Sequence, residues 1–471
     1  MTPEEFRRYG HRVVDLIADY RSGVANQSVQ ATVHPGEIKA GLPVEPPSHA
    51  EPFDQILADV ERMIGAGLTH WAHPQFFGFF PANAELASVL GDYLSTGFGV
   101  IGLSWQSSPA LAELEERAMD WVRQMLGLSA AWSGVIQDTA STTTLVALLS
   151  ARERTTGFGA TRGGFQAEPK PLVIYCSSEA HSSVPKAALL AGFGRQNIRL
   201  IEVDEAYAMR PEALEAAIAA DLAAGSRPCA VVATIGTTTS TGFDPLEPIA
   251  ELALAHGLWL HVDAAMAGSA MVLPECRGLW AGIESADSIV INAHKWLGVA
   301  FDCSLYYVRD PEHLVRVMST KPSYLQSSVD GQVKNYRDWG IPLGRRFRAL
   351  KLWLMIREQG VDRIAARFRR DLANAAWLAT EIRQTADWRV VAPVLIQTLC
   401  VRYEPPGLAG EALDRYTLAW AERINRSGLA YLTPAVLGGR WVVRVSIGGL
   451  LTERNHVEAL WTLMRREAEA S

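Results

Sequence analysis

Apolar residues recur along this chain in different rhythms. Near the start, Phe6, Val13, Ile17 and Tyr20 fall at helical spacing behind Thr2, Pro3 and Glu5, a capping-box arrangement that predicts an opening helix. The stretch HPGEIKAGLPVEPPSHAEPF then breaks every period with Pro and Gly, and predicts an extended connector that needs a surface to lie on, a second subunit being one. From about residue 81, short runs dense in Val, Ile, Leu and Tyr (PLVIYC, CAVVATIG, LWLHVD, SIVIN, SLYYV) alternate with helical stretches such as LAELEERAMDWVRQML. Nearly continuous apolar strands separated by helices predict an α/β domain whose mainly parallel sheet is covered on both faces. Helical periodicity resumes through FRALKLWLMIREQGVDRIAARFRRDLANAAWLATEIR. After it, WRVVAP, QTLCVRY, AYLTPA and WVVRVSIG predict strands ahead of a last helix near 452–468, a smaller α+β unit. The expected division is an N-terminal helical and extended dimerisation segment (1–80), a large domain (81–365) and a small C-terminal domain (366–471).

Composition narrows the function. A formal net charge of -7 spread over 471 residues, with no basic stripe, argues against a nucleic-acid partner and for a small-molecule one. The charged, amphipathic start has no apolar leader region and no apolar run is long enough to span a bilayer, so a cytoplasmic protein without a membrane partner is expected. Cys176, Cys229, Cys276, Cys303 and Cys400 are widely spaced and mostly sit in apolar runs, which predicts small core residues and neither a disulfide frame nor a zinc site. His70, His73 and His181 show no ligand-like spacing with a carboxylate, and no metal is expected.

In an open α/β sheet, ligands bind beyond the carboxyl ends of the strands. Here those ends deliver His181 after PLVIYC, Thr238 after CAVVATIG, Asp263 after LWLHV, and His294 with Lys295 after SIVIN. An imidazole, a hydroxyl, a carboxylate and an amine together match the needs of pyridoxal phosphate (PLP). The lysine forms an imine, the acid partners the pyridinium nitrogen, the imidazole stacks on the ring, and the small Ala265 leaves the other face free. A Thr/Ser-rich turn, Thr139, Ala140 and Ser141, stands directly before a helix and offers hydroxyls and amides to a phosphate. Taken singly, Asp263 also reads as a strand-end cap, His181 more often as a structural histidine, and the Thr139 turn as an ordinary helix cap. The set carries the reading.

The chain resembles the group II, fold type I PLP-dependent decarboxylases, and among them the aromatic-L-amino-acid decarboxylases, with a texture closest to bacterial DOPA decarboxylases. The motifs HWAHPQFFGFFP, GLSWQSSPALAELE, GVIQDTASTTTLVALL, EAHSSV, ATIGTTTSTGFDP, HVDAAMAGSAMVLPECR, NAHKWLGVAFDCS and DWGIPLGRRFRALKLW carry the resemblance across almost the whole length. It implies a large PLP-binding domain with Lys295 as the Schiff-base lysine, Asp263 as the pyridinium partner, His181 as the stacking residue and Ala265 on the opposite face. It further implies Thr238 as a polar neighbour, and Thr139, Ala140, Ser141, Asn292 and His294 around the phosphate. Tyr324, within STKPSYLQSSVDGQ, matches the loop tyrosine that protonates the former Cα, and the presence of both Tyr324 and His181 implies an amine product over an aldehyde.

The resemblance also places the substrate. Trp71, Phe79, Phe80, Pro81, Ala82, Ile101, Leu103, Phe301 and Gly344 are expected to line an aromatic slot, with Ile101 and Leu103 reaching across from a partner subunit of an obligate homodimer. No basic residue accompanies them, which argues against glutamate. Gly344 leaves room for a large ring and tilts the expectation toward L-DOPA, 5-hydroxytryptophan or tryptophan. Ala82 and Leu103 depart from the threonine and phenylalanine of many relatives, and Asn83 offers a replacement hydrogen bond. The alternatives are an aromatic aldehyde synthase, or a decarboxylase acting on tyrosine or phenylalanine.

Overall fold

The structure is a computed structural model and describes residues 1–320 and 329–469. Its contacts divide the chain into two compact units, one formed by Met1–Pro81, Thr380–Arg389 and Val401–Ser471, the other by Ala82–Ala379 and Val390–Cys400.

The second unit is built on a seven-stranded sheet. Its strands are β1 (Ser133–Gln137), β2 (Leu172–Ser177), β3 (Ile198–Ile201), β4 (Arg227–Thr234), β5 (Trp259–Asp263), β6 (Ser288–Asn292) and β7 (Ser304–Val308), in the order β1-β7-β6-β5-β4-β2-β3. Only β7 runs against its neighbours, since both the β1/β7 and β6/β7 pairings are antiparallel and all the others are parallel. The carboxyl ends of the remaining six strands therefore share one edge of the sheet. Every residue of β2, β5, β6 and β7 is buried, which is why these strands read as continuous apolar runs: helices cover both faces and neither alternates with solvent. On one side Leu148 and Ala151 of the helix Ala140–Thr156 pack with Val184, Ala187 and Ala188 over Ile174, Cys176 and Val232. The strands at the two edges, β1 and β3, were not anticipated. β3 has four residues and is only partly buried, and β1 (SGVIQ) has just two aliphatic residues among its five, so neither stands out by hydrophobic density.

Two further helices shape this unit. The helix Leu86–Gly97 lies so close to the helix Arg348–Gln384 that a Cβ on Gly91 would meet Lys351 Cα at 2.5 Å. The long helix is interrupted at Gly360, whose φ of 66° and ψ of 158° only glycine adopts readily.

The first unit opens with the helix Pro3–Gly23, and the capping box is present: Glu5 N donates to Thr2 Oγ1 and Thr2 N to Glu5 Oε2. The connector contains one short helix, Glu37–Gly41, and Val44 stands fully exposed. Farther along, Phe77 N donates to Tyr431 O, Ser446 N to Phe77 O and Thr452 Oγ1 to Pro74 O, stitching the N-terminal segment to the C-terminal residues. The last four strands, β8 (Trp388–Val390), β9 (Thr398–Tyr403), β10 (Thr433–Leu437) and β11 (Arg440–Ser446), form a sheet in the order β10-β11-β9-β8. The helices Gly410–Arg426 and Arg454–Glu469 complete the C-terminal part. No helix among the described residues is long and apolar enough to cross a membrane.

Candidate active site

Because β6, β5, β4 and β2 are consecutive in the sheet and parallel, the residues that follow them collect along one edge. Asp263, the last residue of β5, is buried, and its Oδ1 accepts the Ala265 N–H at 3.0 Å, which fixes one carboxylate oxygen and leaves the other directed elsewhere. On β6 the buried Asn292 receives its own backbone anchor, with Asn292 N donating to Ala265 O at 2.8 Å, while its side-chain Oδ1 is buried without a hydrogen-bond partner. An orphaned buried carbonyl is costly, and it marks a place where a donor belongs.

The segment Ala293–Leu297 is a wide turn interrupted at Lys295, whose φ of -99° and ψ of -118° lie outside helical geometry. Both flanks are pinned. His294 Nδ1 accepts the Cys303 N–H at 2.9 Å, and beyond Lys295 the guanidinium of Arg367 donates to Trp296 O and Leu297 O at 2.8 Å each. Trp296 Nε1 donates to Asp371 Oδ2 at 2.8 Å. The peptide bearing Lys295 is thus rigid on either side of the amine. His294 is neutral, pushed down to about 4 by burial first and by the Lys295 charge second. With Nδ1 accepting, its proton resides on Nε2 and that nitrogen is a donor.

His181 follows β2. Its Nδ1 accepts the Ser183 N–H at 3.2 Å and lies 2.8 Å from Ser183 Oγ, so its Nε2 also carries the proton in the neutral form. His181 is exposed in this chain. Crowding by protein atoms lowers its pKa, the Asp263 carboxylate raises it and the Lys295 ammonium lowers it again, so both groups lie within electrostatic reach. Thr238 is half-buried in the loop after β4, beside a tight turn in which Thr237 Oγ1 accepts from Gly242 N at 2.8 Å.

After β1 comes the helix Ala140–Thr156, with Thr139 as its cap residue. Thr139 makes no side-chain cap bond, so the amides of the first helical turn are not consumed by it. Its own N–H is taken by Asp138 Oδ1 at 2.6 Å. Ala140 is buried and Ser141 exposed.

These residues fit PLP. The helix N-terminus and the His294 Nε2–H are anion donors, Asp263 is a fixed carboxylate, His181 an exposed planar ring, Ala265 a small neighbour, and Lys295 an amine on a braced turn.

The expected substrate residues divide between the units. In the first, Trp71 stacks on Phe79 with centroids 5.2 Å apart, Phe79 in turn stacks on Tyr431 at 5.9 Å, and the buried Phe80 lies under the Arg444 guanidinium at 4.7 Å. Pro81 is buried beside it. In the second, Ala82 and Leu103 are half-buried, Phe301 meets the His294 ring edge-on at 4.8 Å, and Ile101 Cγ2 lies 3.7 Å from where a Cβ on Gly344 would stand. Ile101 and Phe301 are themselves 58% and 63% exposed, which leaves them available to something outside the chain. Tyr324 lies outside the described residues. Sequence reasoning missed Gln137, Glu115 and Arg345, which hold the end of β1. The charged pair is separated by 230 positions, and only the doubled arginine of IPLGRRFR hints at it.

The chain is similar to known proteins over nearly its whole length. The pyridoxal-dependent decarboxylase conserved domain matches residues 35–404. The chain is 40% identical to tyrosine decarboxylase 4 of Petroselinum crispum, covering 100% of this chain and 94% of that protein. It is 38% identical to phenylacetaldehyde synthase of Arabidopsis thaliana, covering 99% and 96%. The crystal structure of Oryza sativa TDC with PLP and tryptamine superposes with a TM-score of 0.96 at 36% identity, over 100% of this chain and 99% of that one. A family domain spanning most of the sequence, on a fold shared from end to end and with a strand-end set suited to PLP, leads to one conclusion: this chain belongs to the pyridoxal-dependent decarboxylase family.

Proposed function

We propose that the protein decarboxylates aromatic L-amino acids, with L-DOPA, 5-hydroxytryptophan or tryptophan favoured, to the arylalkylamine and CO2. The observation that carries this reading is the collection of His181, Asp263 and the braced Lys295 turn along one sheet edge, in a chain whose relatives include a tyrosine decarboxylase. Bound PLP supplies an electron sink for the pair left behind when CO2 departs.

The chain's own residues do the rest. Lys295 would hold the cofactor through its amine and would give it up to the substrate amine. Asp263, with one oxygen held by Ala265 N–H, keeps its charge fixed for the pyridinium nitrogen. His294 and the first turn of the Ala140–Thr156 helix donate to the phosphate, and Thr139, Ser141 and Asn292 border it. His181 covers the ring and presents Nε2–H toward the substrate side. Trp71, Phe79, Phe80, Pro81, Ala82, Ile101, Leu103, Phe301 and Gly344 select a flat apolar ring. Tyr324 delivers the proton to the former Cα.

Relatives include an aldehyde synthase, so product identity is a second question. Tyr324 and His181 together favour the amine. The finer likeness to bacterial DOPA decarboxylases rests on the motif texture alone, and the plant relatives are named for tyrosine and for tryptophan. Five buried free thiols suit a reducing, cytoplasmic compartment. We further assign the division at 81 and 365 to function, with 1–80 serving a homodimer.

The test is an absorbance scan of purified protein followed by product analysis with DOPA, 5-hydroxytryptophan, tryptophan, tyrosine, phenylalanine, histidine and glutamate. A visible cofactor band, lost in Lys295→Ala along with roughly three or more orders of magnitude in turnover, is expected with an aromatic amine and CO2 as products. Turnover of glutamate alone would overturn the aromatic assignment. Tyr324→Phe is expected to divert product to aldehyde, ammonia and peroxide at the expense of dissolved oxygen; an unchanged amine yield would remove Tyr324 from the reaction.

A further inference from the structure

Strand β1 is the outermost strand of the large sheet, and its last residues lead directly into Asp138, Thr139, Ala140 and Ser141. In an antiparallel pair, alternate residues point both backbone groups away from the partner strand. Ile136 is such a residue, and no neighbouring strand receives it. Instead, Ile136 N donates to Glu115 Oε1 at 2.9 Å, and Arg345 Nη2 donates to Ile136 O at 2.6 Å. The two side chains close on each other, Arg345 Nη1 to Glu115 Oε2 at 3.0 Å and Nη2 to Oε1 at 2.6 Å. A carboxylate acceptor beside a guanidinium donor reproduces the acceptor and donor of one peptide unit. The ion pair is a one-residue substitute strand, and it is buried, with Glu115 0% and Arg345 8% exposed.

Arg345 has a second attachment. Its backbone oxygen accepts the Gly102 N–H at 2.8 Å, and Gly102 has no space for a side chain because a Cβ there would meet Leu111 at 2.9 Å. Directly before these two residues in the chain stand Ile101 and Gly344, which the proposed function places around the substrate ring; Ile101 Cγ2 lies 3.7 Å from where a Cβ on Gly344 would stand. The next residue of β1 repeats the grip. Gln137 Nε2 donates to Trp339 O at 2.8 Å, and Gly340 packs so closely that a Cβ would lie 2.6 Å from that amide nitrogen. Thus the last two residues of one strand hold the 339–345 segment at two points, immediately before the turn proposed to hold the phosphate.

We propose that Glu115 and Arg345 are positioning residues for ring selectivity. They brace the phosphate-holding strand end against the Gly344/Ile101 wall, which in the proposed homodimer reaches into the partner subunit's slot, and so set where that wall stands against the substrate ring. This rests on the proposed function for Gly344 and Ile101. Because neither side chain need touch substrate, their loss acts on KM and on the ratio between substrates, with the chemical step itself intact.

The experiment measures kcat and KM of the holoenzyme for tryptophan and for tyrosine, with the visible cofactor band and thermal unfolding followed in parallel. Arg345→Lys keeps the charge but lacks the planar fork that reaches Glu115 and Ile136 together. It is expected to change the tryptophan-to-tyrosine ratio of kcat/KM by about fivefold or more, mainly through KM, with the better substrate's kcat within about twofold of wild type. Arg369→Lys, in the exposed pair with Glu275, is the control and should leave the ratio unchanged. If Arg345→Lys lowers the melting temperature yet leaves the ratio at the wild-type value, the pair is merely structural and the proposal is wrong. If Arg345→Lys does not fold, Gln137→Asn decides by the same ratio, since it shortens the amide away from Trp339 O. A wild-type enzyme that turns over no aromatic amino acid refutes the proposed function; an active wild type with unmoved variants refutes this inference alone.

Discussion

At the scale of single residues, chemistry here depends on which nitrogen or oxygen is already occupied. His294 and His181 each accept a backbone N–H at Nδ1, so each shows a proton at Nε2. His261 is a third case. It is fully buried on β5 two residues before Asp263, 2.9 Å from Ser288 Oγ, and pushed down to about 4 by burial, which outweighs the Asp263 charge acting upward. A base whose folded pKa is depressed contributes stability that is present above its unfolded value of 6.5 and lost as pH falls through about 4. His261→Gln should therefore flatten the acid side of the stability profile between those limits by about 1.4 kcal/mol per pH unit, read as urea unfolding free energy at several pH values. An unchanged slope would mean that His261 is not neutral in the native state. Strand ends exposed these functional residue types to sequence reading because each follows an unmistakable apolar run. The Glu115–Arg345 pair stayed hidden because a contact between residues 230 positions apart leaves no local period.

At the scale of elements, burial on both faces made β2 and β4 to β7 legible; partial exposure concealed β3, and the Ser, Gly and Gln of SGVIQ concealed the buried β1. Element contacts also reverse a simple propensity argument at Gly91. In an isolated helix Gly→Ala is favourable by about 1 kcal/mol. Here the added carbon would sit 2.5 Å from Lys351 Cα, a backbone atom that cannot rotate away, so the two helices must separate. Gly91→Ala is predicted to destabilise by roughly 1–3 kcal/mol, the usual magnitude of overpacking, seen as a lower urea midpoint with an unchanged slope. Stabilisation would show that the helices have slack. Lys351 itself is fully buried, with its ammonium 3.3 Å from Asp92 Oδ1, so separation also disturbs an ion pair.

At the scale of the whole molecule, the helix Leu86–Gly97 presents Leu86, Leu90, Tyr93 and Leu94, each between 43% and 49% exposed, at helical spacing on one face. An apolar stripe of this kind suits the homodimer proposed above. With the proposed homodimer, sedimentation velocity should give a dimer, and Leu90→Glu with Leu94→Glu should give a monomer that has lost most of its turnover; an active monomer would remove the shared site. The sequence by itself determined the α/β class, the PLP-suited residue types and their order along the chain, because strand burial, caps and strand-end chemistry are written in local spacing. Tertiary structure alone decided which strands are neighbours, that β7 reverses direction, which histidine nitrogen carries the proton, and that an ion pair completes the open edge of β1. Each of these depends on groups far apart in sequence meeting in space, where burial and hydrogen-bond partners, and not periodicity, set the outcome.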